Sequence, residues 1–125
     1  MGYFFGCGNA CNESGGGSSG AGLYLSADLP AGVSDGFNPG GAWPTGIGRL
    51  DLVPAGNATL NSLVAGIDGQ EVILRNASAT FTITIPTGGA GTAPFTGGGG
   101  GAILPPLTPI NIVYYAGSIN AWVIV

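Results

Sequence analysis

The 125-residue chain contains no histidine, and its only cations are Arg49 and Arg75. The missing imidazole removes the commonest general base, the Ser-His-Asp and Cys-His arrangements, and most catalytic zinc sites. Two cations cannot build the basic surface that neutralises phosphates, so nucleic acid is not an expected partner. No run approaches the roughly 18 apolar residues of a membrane-spanning helix. Charge of either sign is scarce: 6% of residues are charged and the net charge is −4. Ordinary soluble domains carry roughly 25%. A free monomer so short of charge leaves apolar surface in water, which predicts self-association or a place in a larger array.

The carboxylates are Glu13, Asp28, Asp35, Asp51, Asp68 and Glu71. A two-carboxylate glycosidase would need two of them to converge. Several instead fall at turns or beside an arginine, so Asp51 with Arg49 and Glu71 near Arg75 read as outward-facing pairs worth under about 1 kcal/mol each. The chain is therefore not expected to be an enzyme, and no cofactor or metal is expected. Asp35 and Asn38 could offer oxygens to calcium, but a site needs about six ligands and turn chemistry explains both. Cys7 and Cys11 could bridge a small loop. Without histidine or further cysteines they cannot form a structural zinc site, and a free reduced pair in a protein made in the cytoplasm is the simpler reading. Three sequons, Asn12-Glu13-Ser14, Asn57-Ala58-Thr59 and Asn76-Ala77-Ser78, lack a secretory signal and read as chance matches.

What the chain does have is 26 glycines, 9 prolines and 45% apolar residues. Dense glycine and proline between short apolar runs, without helical spacing, predict an all-β protein rich in turns. The clearest stretch is Gly66 to Ile85. Glu71, Ile73 and Arg75 alternate with Val72, Leu74 and Asn76, and then Phe81, Ile83 and Ile85 alternate with Thr80, Thr82 and Thr84. Two such runs joined by Asn76-Ala77-Ser78-Ala79 predict a β-hairpin.

Residues 1–22 read as a flexible arm: Gly15 to Gly22 is a Gly/Ser linker, preceded by the aromatic knot Tyr3-Phe4-Phe5. The knot lacks the charge and length of a signal peptide. It either anchors a partner or folds back on its own domain, and the anchor is the favoured reading. Residues 23–125 form the domain. A short strand is expected around Leu23–Leu25, a strand at Ile47–Val53 with Arg49 and Asp51 outward, and a weaker one at Thr59–Leu63. Pro86 to Gly101 reads as a long glycine loop pinned by Phe95, without phosphate-binding residues. Ile103–Pro109 suits an edge or polyproline segment. Ile110–Tyr115 and Ala121–Val125 form a closing hairpin that should bury Tyr114 and Trp122.

From Arg49 onward, RLDL, TLNSL, GIDGQEVILRN, FTITI, ILPPLTP, IVYY and the terminal WVIV resemble the small β-sandwich modules of tailed-bacteriophage structural proteins. Pro105 and Pro106 depart from the PG turn of many such modules. The resemblance implies a single antiparallel, jelly-roll-like sandwich, trimeric, carried on the Gly-rich arm. It implies a virion protein on the capsid surface, decorating or cementing the head, with itself and the major capsid protein as partners. The alternative is a tail-fibre or spike tip that binds a host glycan through exposed aromatics such as Trp43. The expected interface residues are Tyr3, Phe4, Phe5, Trp43, Tyr114, Tyr115 and Trp122.

Overall fold

The computed structural model describes residues 23–91, 93–117 and 119–125. Tyr3, Phe4, Phe5, Cys7 and Cys11 lie outside the described residues. The chain there is all-β, with eleven strands. They are β1 (Leu23–Leu29), β2 (Gly32–Ser34), β3 (Ile47–Pro54), β4 (Ala58–Leu60), β5 (Ser62–Leu63) and β6 (Glu71–Asn76). After them come β7 (Ile83–Pro86), β8 (Ala93–Gly97), β9 (Gly101–Leu104), β10 (Pro109–Tyr115) and β11 (Ala121–Ile124).

The chain does not fold as an antiparallel sandwich. It winds. β1, β3 and β6 lie side by side in parallel, and so do β2, β4 and β7. Each circuit leaves the first wall, crosses to the second and returns one strand along. Leu23 stands beside Ile47, and Arg49 beside Ile73, each pair 24 residues apart. The geometry is that of a short β-solenoid. A third side carries Phe37, which bridges in parallel to Leu63, and β5, which pairs antiparallel with β8. The closing hairpin forms as expected, with Tyr114 opposite Trp122. It lays β10 antiparallel on β6 and β11 parallel to β8, so it spans from the first wall to the third.

The predicted hairpin between residues 71 and 85 is absent. β6 and β7 belong to different sheets. Both runs yield strands with the expected buried faces, since Val72, Leu74, Ile83 and Ile85 are enclosed, although the second begins only at Ile83. The link between them turns a corner instead of reversing, and Asn76 explains why. Its side chain is fully buried, donates to the carbonyls of Phe81 (2.7 Å) and Leu104 (2.9 Å), and accepts from the Ser78 N–H (2.9 Å). One amide thereby fixes the corner and ties it to β9. It also shuts the sequon, because an enclosed Asn76 cannot accept a glycan.

Other differences follow from the winding. The first strand extends to Leu29, because each residue from Leu23 onward has a partner in β3. The weak strand at 59–63 splits at Asn61 into β4 and β5, which serve different sheets. The glycine loop contains β8, whose Phe95 is fully buried in the core. Ile103 and Leu104 do lie on an edge strand, β9, as the following prolines predict.

The corners share a device. Ser62 is fully buried; its hydroxyl donates to the Ala90 carbonyl (2.6 Å) and accepts from the Gly36 N–H (2.5 Å), so it clips three successive circuits together. Gly91 is needed beside it: φ is +115°, and a Cβ there would stand 1.8 Å from the Ser62 hydroxyl. Gln70 donates to the carbonyls of Pro44 and Ile47 and accepts from the Ile67 N–H. One core runs through the molecule, from Leu29, Leu50 and Leu74 on the first wall to Leu60, Ile83 and Leu104 on the second.

Asn76→Ala strands two buried carbonyls and one N–H, so it should lower stability by about 2 to 4 kcal/mol. Asn111→Ala, on the exposed face of β10, should cost under about 0.5 kcal/mol. Urea unfolding of the two variants checks the corner assignment.

Candidate interaction surface

The outer face of the first wall carries the only cluster of opposite charges among the described residues. Alternation along β3 turns Arg49, Asp51 and Val53 away from the core. The winding then brings β1 and β6 alongside. Tyr24 stands next to Arg49 and Ser26 next to Asp51 on one side. Ile73 stands next to Arg49 and Arg75 next to Asp51 on the other.

Asp51 points outward as expected, yet it is not solvent-exposed: its relative exposure is 2%. Arg49 grips it with two hydrogen bonds, Nε to Oδ1 at 3.2 Å and Nη2 to Oδ2 at 3.1 Å. Arg75 approaches from the next strand, with Nε 3.5 Å from Oδ1. Arg75 therefore pairs with Asp51 in place of Glu71. The Arg49 guanidinium also lies over the Tyr24 ring, 4.4 Å from its centroid. Its pKa is raised, chiefly by the hydrogen bond to Asp51 and against the opposing effect of burial. Both cations of the chain serve one carboxylate, and the sequence hid this because Arg75 is 24 positions away.

The expected interface residues divide. Trp122 is fully enclosed and Tyr114 nearly so, in line with the closing-hairpin reading. Their rings lie 5.2 Å apart, and the Tyr114 hydroxyl bonds the Asn120 side chain. The Trp122 indole donates to the Val64 carbonyl at 3.2 Å. Trp43 is half-buried, and its ring packs 5.6 Å from that of Trp122. It belongs to an aromatic stack and is not a free-standing platform. Tyr115 stands on the surface.

Further exposed apolar side chains are spread over the molecule: Leu23, Tyr24 and Val33 on the first circuit, Ile103 and Leu107 around β9, and Ile119 and Val125 about the closing hairpin. Asn38 does turn chemistry, accepting from the Gly40 N–H, while Asp35 accepts from the Asn61 side-chain amide 26 positions on and so ties one circuit to the next. Among the described residues no three His, Cys, Asp or Glu side chains group to hold a metal. A shallow recess of about 340 Å³ lies between Gly46–Gly48 and Ile67–Glu71. Asp68 and Glu71 are its titratable groups, and Asp68 already accepts the Ala116 N–H. No family model matches the chain, and neither a curated protein nor a solved structure matches it.

Trp122→Ala removes the centre of the aromatic stack and should cost about 3 to 5 kcal/mol. Asp51→Ala leaves Arg49 and Arg75 facing each other without their shared acceptor and should cost about 1 to 3 kcal/mol. Thermal melting of each variant reads the losses. A Trp122→Ala protein that melts with wild type would refute the stack's role in the core.

Proposed function

We propose that the chain is a structural subunit that docks on a larger protein assembly, in the specific form of a decoration protein on the outside of a tailed-bacteriophage head. The observation that supports docking is the wide exposure of large apolar side chains, Val33, Ile103 and Val125 among them, on a protein whose two cations are both engaged with Asp51. Apolar side chains exposed on a surface with so little charge around them favour association over a free monomer. The phage assignment rests on the resemblance carried by RLDL, GIDGQEVILRN and IVYY…WVIV.

In this reading Tyr3, Phe4 and Phe5 are the anchor and the Gly/Ser run is the tether. Burying three aromatic rings contributes several kcal/mol per arm, at about 25 cal/mol per Å² and about 150–250 Å² per ring. Several arms on one self-associated particle multiply affinity through effective concentration. The tail-tip alternative draws less support, since Trp43 packs against Trp122 and, among the described residues, the exposed rings are Tyr115 and Tyr24, the latter already covered by Arg49.

Co-sedimentation with undecorated capsids tests the proposal. The full-length protein should pellet with the particles, and a chain lacking residues 1–22 should stay in the supernatant while keeping its melting transition. Equal pelleting of the two would remove the arm as anchor. Failure of both to pellet would remove the capsid reading.

A further inference from the structure

A coil of parallel strands leaves an open ladder at each end, and the two ends of this one are unlike. Four strands border their sheets: β1 and β5 in one, β2 and β9 in the other. Natural sheets protect such borders by shortness, proline or charge. β5 has two residues, β2 three and β9 four, and β9 runs directly into Pro105 and Pro106. β1 is seven residues long, holds no proline and carries one charge, Asp28. It is the unprotected border among the described residues.

Its groups without a partner among the described residues can be named. Leu23 donates its N–H to Gly46, and the Leu29 carbonyl accepts from Ala55. Residues 23, 25, 27 and 29 therefore direct their backbone groups toward β3. Alternation leaves the N–H and C=O of Tyr24, Ser26 and Asp28 on the open side. The side chains there are exposed, Leu23 at 60% and Tyr24 at 56%, and the inward-facing Leu25 and Ala27 are only half-buried.

We infer that this border is a self-docking site, in which β1 pairs antiparallel with β1 of a second copy about a two-fold axis through Ser26. The strand is self-complementary in that register. Ser26 meets Ser26 of the second copy, Tyr24 meets Asp28, and Leu25 meets Ala27. Every free N–H and C=O of residues 24, 26 and 28 then has a partner, since these become the hydrogen-bonded positions of an antiparallel ladder. The inward row continues the apolar core of the first wall across the axis. Charge selects the same register: Asp28 of one copy arrives beside Tyr24 of the other, whose ring already holds the half-exposed Arg49 guanidinium. An exposed carboxylate is thus delivered to an incompletely neutralised cation, twice per dimer. A slip by one residue would turn Leu25 and Ala27 outward. The site is isologous and closes at two copies.

The inference is independent of the capsid reading and is tested without capsids. Sedimentation of the full-length chain at about 100 μM should show a species of twice the 12.2 kDa mass. Ser26→Lys sets two like charges across the axis and should weaken association at least about tenfold without lowering the melting temperature at a dilution where both proteins are monomeric. Ser26→Cys, in a Cys7→Ser/Cys11→Ser background, should form a covalent dimer under oxidised glutathione. Residues directly opposed in the ladder have Cα atoms about 5.5 Å apart, inside the disulfide range. Asn111→Cys in that background should not. A monomer at this concentration, a three-fold species, or undiminished association of Ser26→Lys would each overturn the two-fold pairing.

Discussion

Every circuit of this chain must return to the first wall in register with the circuit before it, and that constraint governs the rest of the structure. The parallel ladders β1-β3-β6 and β2-β4-β7 form only if the path between successive strands has nearly constant length. Straight strands meet this condition by hydrogen bonding, but corners do not, because there the backbone turns away from its neighbours. Buried polar side chains supply what the corners lose. Asn76, Ser62 and Gln70 each bond main-chain groups on more than one segment. An unpaired buried amide or carbonyl costs about 1–3 kcal/mol, so these three side chains outweigh any pair of surface charges.

The strands themselves were legible; their neighbours were not. Alternation in Glu71–Asn76 and in Phe81–Ile85 states which face is buried, and both statements hold. It does not state which strand lies alongside, because a hairpin and a coil satisfy the same pattern. The closing hairpin was legible because Tyr114 and Trp122 lie close in sequence and a short turn leaves little choice of partner. A signal for the winding was present. Pro30-Ala31-Gly32 recurs as Pro54-Ala55-Gly56, 24 positions on, and that is the spacing that places Leu23 beside Ile47. A recurrence at that interval is the mark of stacked units. β8 was hidden by its composition, since a strand bordered by glycines on both sides looks like a loop until Phe95 is seen to be enclosed.

The charge cluster illustrates the same limit. Sequence proximity joins Arg49 to Asp51 and Glu71 to Arg75. The coil interval joins Asp51 to Arg75 instead, and turns an ordinary surface pair into a carboxylate held from two strands. That arrangement pins β3 against β6 on the outer side, opposite the Leu50 and Leu74 contact on the inner side. Tyr24 extends the pin to β1 through Arg49. With so few charges in the chain, concentrating both cations here leaves the remaining walls without a cation.

That distribution bears on why the two ends differ. At the far end, β10 is laid antiparallel on β6 and its own outer side is taken by β11, so the first wall finishes inside a paired sheet. The second wall finishes at β9, where Pro105 and Pro106 prevent a further strand from following. Among the described residues no such device guards β1. A stacked fold whose last circuit is capped and whose first, among the described residues, is not has a direction: its first wall is open to another strand at β1. Because an antiparallel pair of two such ends uses both, association there consumes the open ladders and leaves capped ends outward, which halts growth at two copies instead of opening into a filament.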